Sequence, residues 1–188
     1  MKFAYYQRLD RKGREIYDRS DAIRAVRLPE APALRDIVGV LRAGLAADDR
    51  VVVEAAAGRL ALGIAELLGV EPVVVSVLAV RPALRGGELH GLYTRDGRSR
   101  PRIRVWMRTA RHRRVVAFKT FLRTLLHEVV HHLDFTLWRM PESFHTEGFF
   151  RRESSLFNQL VPGAPGSLPV SVDDGDERAA EPRRGLDR

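Results

Sequence analysis

The sequence predicts a mixed α+β fold, and three observations indicate this class. The first third of the 188-residue chain contains three segments of helical length that are separated by helix-end signals. A short β-branched run follows, and after it two strand-like stretches flank the turn signal Asp96-Gly97. The last apolar segments again have helical length. We therefore expect a helical N-terminal region, a small antiparallel sheet with a β-hairpin, and two further helices.

The helical N-terminal region is expected to contain three helices. The first lies in RLDRKGREIYDRSDAI, and the second, ALRDIVGVLRAGLAA, follows Pro32. Asp48 and Asp49 open the third helix, which ends near Gly69, because acidic residues before a helix and a glycine after it are common end signals. The third segment, RVVVEAAAGRLALGIAELLG, is apolar on most sides, which indicates a core helix.

The predicted sheet follows this helical region. PVVVSVLAV, residues 72–80, is a short β-branched run typical of a buried strand. In the second arm of the hairpin, Ile103, Val105 and Met107 alternate with arginines and Trp106. This period-2 pattern predicts a strand with one face turned inward.

Two more helices are predicted after the hairpin. One runs from about Val115 to Phe135 and ends before Pro141, which cannot continue a helix. The other lies in HTEGFFRRESSLFNQLV. Beyond it the sequence is poor in apolar residues and rich in Pro, Gly and charge, a composition typical of disorder.

These elements predict one domain followed by a tail. The domain is expected to span residues 1–162, with a helical part at residues 1–70 and a second part at residues 71–162. Residues 163–188 are the predicted disordered tail, because they hold too little apolar area to offset the entropy of ordering.

Composition limits the chemistry that the chain can support. The sequence contains no cysteine, which excludes disulfides, cysteine zinc ribbons and thiol catalysis, so any metal must bind His, Asp or Glu. The net charge is +8, but only three of the 32 cationic residues are lysines. Such an arginine excess can result from a GC-rich genome alone. Where the arginines are not clustered, we therefore expect them to provide only solubility and weak nucleic-acid affinity.

The sequence gives no sign of export or membrane insertion. Charges lie within the first eight residues and no apolar signal region follows them. Glu54 and Arg59 interrupt the best apolar run, which is therefore too short to cross a membrane. The expected location is the cytoplasm.

The segment TLLHEVVHHLDF, residues 124–135, places several titratable side chains in an apolar helix. His127, Glu128 and His131 fit the pattern H-E-x-x-H. Helical residues four apart lie about 400° round the axis, so the two imidazoles share one face and can share one metal ion. Two such ligands, a third protein ligand and an open position for water make a catalytic zinc site. Glu128 is then placed to take a proton from the zinc-bound water.

A second interpretation of this segment involves no metal. Glu128 and His132 would pair at i, i+4 on a solvated face of the helix. The apolar residues around the motif are Leu125, Leu126, Val129, Val130 and Leu133. They are expected to bury much of the helix, and buried imidazoles and carboxylates need strong partners. This burial favours the metal site.

Two further polar residues of the segment are expected to have supporting roles. Asp134 lies on the same helix stripe as His127 and His131, so it can orient one of the ligating imidazoles. As a helix-terminal aspartate it can equally bond a nearby loop. His132 lies off the stripe and is expected to be a structural histidine.

Three residues in SFHTEGFFRRES can supply the third metal ligand: His145, Glu147 and Glu153. His145 is favoured, because a histidine at the start of the last helix would face the motif helix across the loop that contains Pro141. A glutamate is chemically as good a ligand. Glu147, and after it Glu153, therefore remain alternatives.

HEVVHHLD followed by HTEGFF resembles the SprT-like and related small zincin metallopeptidases. In those families a third histidine follows the helical motif in an H-x-x-x-F pattern, which here runs from His145 to Phe149. The resemblance covers roughly residues 72–160, and it departs from the family pattern where Thr146 replaces the usual glycine. It implies a zincin-like fold, a metallopeptidase-like core in the second part of the chain, and His145 as the third zinc ligand.

The function expected from the motif and the resemblance is that of a zinc-dependent metalloprotease. Glu128 would activate the zinc-bound water for attack on a peptide bond of a protein or peptide substrate. The substrate would lie extended along an edge strand, expected at residues 102–109, through backbone pairing that tolerates many sequences. Four side chains are candidates by type for stabilising the oxyanion: Tyr93, His132, Arg151 and Arg152.

A different class of function is a nucleic-acid-associated binding protein with a structural or auxiliary metal site. Between Gly97 and Leu126 the sequence has no acidic residue and ten basic ones, which we call the basic belt. Its members are Arg98, Arg100, Arg102, Arg104, Arg108, Arg111, Arg113, Arg114, Lys119 and Arg123. The candidate phosphate contacts are Arg100, Arg102, Arg111, Arg113 and Arg114. Trp106 could stack on a base.

The two classes of function are compatible with each other. The resemblance implies this, because SprT-like proteases act on proteins attached to DNA. A third alternative is a zinc hydrolase that acts on a bond other than a peptide, since the chemistry of the site does not name the scissile bond.

Overall fold

The computed structural model describes residues 2–84 and 87–163, so most of the predicted tail lies outside the described residues. Within them the fold is α+β, as predicted. A short 3-10 helix (Ala4–Arg8) precedes the first α-helix. The elements that follow are α1 (Arg11–Ala22), α2 (Ala31–Ala46), α3 (Arg50–Leu67), β1 (Val74–Val80), β2 (Ala83–Leu84), β3 (Gly87–Glu88), β4 (Gly91–Thr94), β5 (Arg102–Arg108), α4 (Phe118–Thr136) and α5 (Glu147–Leu160).

Acidic residues cap two helices of the N-terminal region, and the end signals predicted at Asp49 and Gly69 are confirmed. At the start of α1 the Asp10 carboxylate accepts a hydrogen bond from the Gly13 N–H at 2.6 Å. Asp49 accepts from the first backbone N–H groups of α3, which satisfies donors that have no partner within the helix. Beyond the end of α3, Gly69 adopts a φ of 65°, a conformation that favours glycine.

The main sheet has three strands in the order β1–β5–β4. β4 and β5 pair antiparallel, which confirms the hairpin around Asp96-Gly97. β1 pairs parallel with β5, so the sheet is mixed and the prediction of an antiparallel sheet was wrong for β1. The chain reverses direction twice between β1 and β5, and β5 then inserts between β1 and β4.

The central position of β5 also corrects the predicted substrate edge. The sequence predicts that edge at residues 102–109, but the backbone of β5 is hydrogen bonded to a strand on each side. Ile103, Val105 and Met107 are almost fully buried on one face, and Trp106 on the other face is only 5% exposed. Trp106 is therefore not accessible for stacking on a base. In the described part of the chain β4 pairs only with β5, so the open edge beside α4 belongs to β4.

The two C-terminal helices begin slightly later than the sequence predicts. α4 begins at Phe118, because Val115 still forms an isolated antiparallel bridge with Arg108. α5 begins at Glu147, and the Thr146 hydroxyl accepts a hydrogen bond from its third residue. His145 therefore precedes α5 instead of lying within it.

One apolar core connects the helical region with the sheet and the last two helices. It contains buried residues of α2 and α3, the inward face of β5, and the apolar faces of α4 and α5. Among the residues that the structure describes, none of the helices is both long enough and apolar enough to span a membrane.

Candidate metal centre

Three imidazoles converge between α4 and the start of α5. The Nε2 atom of His145 lies 2.9 Å from Nε2 of His127 and 3.0 Å from Nε2 of His131. One potential ligand atom from each residue lies within 4.8 Å of the other two. His127 and His131 stand on one face of α4, and the loop after Pro141 returns His145 to that face. The structure thus brings together the three side chains that the sequence selected.

A carboxylate fixes the protonation of His127. Glu153 Oε2 lies 3.3 Å from Nδ1 of His127, and Glu153 Oε1 accepts a hydrogen bond from Arg123 at 2.9 Å. Because a carboxylate oxygen only accepts hydrogen bonds, we assign the proton of His127 to Nδ1. Its Nε2 then presents a lone pair to His145.

A serine and an aspartate fix the protonation of His131. Ser143 Oγ lies 2.7 Å from Nδ1 of His131 and donates its one proton to Asp134 at 2.6 Å. Ser143 must therefore accept from Nδ1–H of His131, whose Nε2 also presents a lone pair. Asp134 combines the two roles weighed from the sequence, because it bonds a loop residue and supports the imidazole of His131 through that residue.

The donor set of this cluster fits a metal ion. A neutral His145 can donate from Nε2 to only one of the two neighbouring nitrogens. At least one N···N contact of 2.9–3.0 Å therefore has no proton between its two nitrogens, and such a contact is unfavourable unless a cation lies between them. Nitrogen ligands of a tetrahedral zinc ion, with bonds of about 2.0–2.1 Å, lie about 3.3–3.4 Å apart, close to the separations here.

Burial keeps two of these imidazoles in the neutral form that binds metals. It lowers the pKa of His145 to about 3, and the neighbouring His127 acts in the same direction. Burial also lowers the pKa of His131 well below its ordinary value, and His127 and His145 lower it further. The ring of Phe149 packs against all three imidazoles, with centroid separations of 4.6–5.0 Å. No proton thus has to leave His131 or His145 when a metal binds at neutral pH.

Glu128 lies on α4 beside the histidines, and its buried side chain reaches the start of β4. A Cβ added at Gly91 would lie 2.8 Å from Cγ and 2.9 Å from Cδ of Glu128. A side chain at this position would displace the carboxylate from where it lies. Glu128 therefore packs against the start of β4.

The alternative third ligands do not join the cluster. Glu147 forms an ion pair with Arg151 at 2.6 Å on the surface of α5. Glu153 bonds Arg123 and the far nitrogen of His127, as described above. The sequence marked Glu153 as an alternative ligand. No sequence signal distinguishes a carboxylate that binds the metal from one that bonds a ligating imidazole.

His132 and Tyr93 form a structural pair beside the cluster. Nδ1 of His132 lies 3.2 Å from the Tyr93 hydroxyl, and its Nε2 lies 2.8 Å from the Glu71 carbonyl oxygen. Both ring nitrogens of His132 therefore have partners, as expected of a structural histidine. Burial raises the pKa of Tyr93 to about 12, so this hydroxyl keeps its proton at neutral pH.

The two arginines considered for the oxyanion are held in other contacts. Arg151 pairs with Glu147. Arg152 is fully buried and donates to Asp134, to Ser20 and to the carbonyl of Ile23. Of the four candidates, Tyr93 is the one that lies on the edge strand β4.

No protein-family model matches this sequence, and comparisons with curated proteins and with solved structures also give no match. The SprT-like family and the zincin-like fold therefore stay predictions. The described residues define the coarser class, which is an α+β protein with a partly buried cluster of three histidines, two of them on the H-E-x-x-H helix.

Proposed function

We propose that this chain is a zinc-dependent metallopeptidase of the zincin class, with His127, His131 and His145 as zinc ligands. The observation that carries the proposal is the convergence of three imidazole nitrogens, two of them from the same helix as Glu128, whose carboxylate lies beside Gly91 of the edge strand β4. Zinc held by three imidazoles acts as a Lewis acid and brings the pKa of water to about 7. A nucleophile for peptide hydrolysis is then available at neutral pH.

Glu128 is the proposed general base. Its carboxylate accepts the proton of the attacking water, and the same group can return that proton to the leaving amine. Close packing against Gly91 restricts the side chain to a position between the histidine helix and β4. Such restriction is what a proton-transfer group needs, since its efficiency depends on its distance from the reacting atoms.

The open edge of β4 is the proposed binding site for the substrate backbone. The other edge of β4 pairs with β5, so one row of its backbone N–H and C=O groups is available for an extended peptide. Backbone pairing of this kind tolerates many side chains. A protease that binds its substrate by backbone pairing with β4 would act on extended or unfolded segments.

Nucleic-acid association is a second candidate function, supported by the exposure of the basic belt. The exposed members are Arg98, Arg100, Arg102, Arg104, Arg111, Arg113, Arg114 and Lys119. The other two are engaged, since Arg108 pairs with Asp48 and Arg123 pairs with Glu153. If the belt binds phosphates, the log–log salt slope should shrink by about 0.9 for each contacting arginine neutralised. Absence of DNA binding at low salt would leave the belt as solvated surface.

Glu128→Gln tests the proposed protease activity. The amide keeps the shape of the side chain but cannot accept a proton, so zinc content should stay near one per chain while hydrolysis falls by about 10²–10⁴-fold. The measurements are metal analysis and cleavage of a fluorescently labelled unfolded protein. His127→Ala, which removes a ligand, is the control that should lose both.

Two outcomes would contradict the proposal. Wild-type protein that binds no zinc would remove the metal centre, and near wild-type turnover in Glu128→Gln would require another base. Stoichiometric zinc without peptide hydrolysis would instead favour a zinc hydrolase that acts on a different bond.

A further inference from the structure

We infer that Glu153, held in place by Arg123, is a positioning residue of the metal centre that fixes the proton of His127 on Nδ1 and directs its Nε2 toward the metal. This inference rests on the proposed function and deepens it. The sequence suggested Glu153, the carboxylate on α5, as an alternative metal ligand. In the inferred role Glu153 instead bonds Nδ1 of His127, the ring nitrogen that does not face the metal.

Both oxygens of Glu153 have a defined partner. Oε1 accepts from Arg123 at 2.9 Å, and Oε2 lies 3.3 Å from Nδ1 of His127. The side chains of Glu153 and Arg123 are only 10% and 11% exposed. A carboxylate this well buried is stabilised by its cation, so it remains an acceptor toward the imidazole.

The positions of these residues on their helices explain the arrangement. Arg123 and His127 are four residues apart on α4, so they share the face that packs against α5. Glu153 and Phe157 are four apart on α5, and the Arg123 guanidinium lies 4.3 Å from the centroid of the Phe157 ring. Arg123 is thus held between a carboxylate and an aromatic face, which fixes the carboxylate next to His127.

His131 provides an internal comparison. Its Nδ1 bonds the neutral hydroxyl of Ser143, and the charge of Asp134 acts only through that hydroxyl. His127 bonds a charged carboxylate directly. Because a carboxylate behind a ligating imidazole raises its basicity, Glu153 should strengthen the bond of His127 to a metal, and loss of such partners typically costs 10–100-fold in metal affinity.

Zinc affinity of the full-length chain, measured by competition with a chromophoric chelator, tests this role. Glu153→Ala should weaken zinc binding by about 10–100-fold. Glu153→Gln should show a smaller loss, because its amide oxygen still accepts from Nδ1–H but carries no charge. Arg123→Met should weaken binding in the wild-type background and add little to Glu153→Ala, since Arg123 acts through Glu153.

Glu54→Ala is the matched control. Glu54 also combines an arginine partner with a structural hydrogen bond, since it pairs with Arg50 and accepts from the Val77 N–H at 2.8 Å. Its loss should lower the melting temperature while zinc affinity stays unchanged. A variant that is less stable but binds zinc normally distinguishes an effect on folding from an effect on the positioning of the ligand.

Wild-type affinity in Glu153→Ala would overturn the inference, and so would an equal loss in Glu54→Ala. If Glu153→Ala does not fold, Glu153→Gln decides, and unchanged affinity in that variant has the same meaning. Failure of the proposed function has a different signature, because the wild-type chain would then bind no zinc or Glu128→Gln would remain active.

Discussion

Gly91 packs against Glu128 at the start of β4, so Gly91→Ala displaces the proposed base without substituting a ligand. The new Cβ would lie 2.8 Å from Cγ and 2.9 Å from Cδ of Glu128, whereas non-bonded carbons prefer about 3.5–4.0 Å. The glutamate side chain must therefore move by about 1 Å. A displacement of that size in a catalytic group costs about 10²-fold in rate.

The expected phenotype of Gly91→Ala is loss of hydrolysis with retention of metal. We expect about a 10²-fold lower kcat on an unfolded protein substrate and zinc content near one per chain. Gly58→Ala is the matched control, because no atom lies within 4 Å of a Cβ added there, in the middle of α3. Alanine is the better helix former by up to about 1 kcal/mol, so this control should keep full activity and gain slight stability.

Wild-type kcat in Gly91→Ala would refute this reasoning, because it would mean that Glu128 is not the base or is not held by β4. Loss of zinc would refute it in a different way, by showing that the disturbance reaches the histidines. Equal loss of activity in Gly58→Ala would indicate a general sensitivity to substitution.

Three other predictions concern the metal. His145→Ala should lose most of the zinc affinity and Glu147→Ala should keep it, because only His145 contacts the other imidazoles; metal analysis decides, and the reverse result would make Glu147 the ligand. Ser143→Ala should weaken zinc binding in chelator competition, because Nδ1 of His131 loses its acceptor; unchanged affinity would confine Ser143 to a loop contact with Asp134. Zinc at 1,000 times its dissociation constant should stabilise the fold by about 4.1 kcal/mol, measured as a rise in Tm over chelator-treated protein. An equal Tm with and without zinc would exclude a site formed only in the folded state.

The features that the sequence predicted are those set by residues close together in the chain. Asp49 and Gly69 mark the ends of α3 through hydrogen bonds and backbone conformation within one helical turn. The common face of His127 and His131 follows from helical geometry alone. His145 was favoured because a loop of the observed length can return a side chain to that face, and the structure brings the three imidazoles together.

The features that the sequence missed depend on pairing between distant segments. The alternation in β5 shows which residues face inward, but it contains no information on which strands lie on either side. A β-hairpin presents two strands, and which of them forms the sheet edge depends on where β1 pairs. Of the two hairpin strands, β4 is therefore the one at a sheet edge, and the arginines of β5 lie on a central strand. The partner of Nδ1 in His127 comes from Glu153, on another helix, so spacing could not identify it.

The sequence assigns no function to the helical N-terminal region, yet the last turn of α1 is connected to the metal centre through Arg152. Arg152 is fully buried and donates to the carbonyl oxygens of Ser20 and Ile23, each at 2.6 Å. These carbonyls end α1, where a helix leaves acceptors without a partner and favours a cation. The same guanidinium donates to Asp134 at 2.9 Å, and Asp134 holds the serine that supports His131.

The acceptors of Arg152 stabilise its fully buried guanidinium, because burying an unpaired charge costs several kcal/mol. Without the end of α1, Arg152 would lose three of its four acceptors, and its pair with Asp134 would no longer hold Ser143 in place. The Tyr5 hydroxyl adds a second link, since it donates to the backbone carbonyl of His145 at 2.8 Å. The N-terminal region thus contacts His145 directly and contacts His131 through Arg152, Asp134 and Ser143. Its folding and the geometry of the three-histidine cluster are therefore energetically coupled.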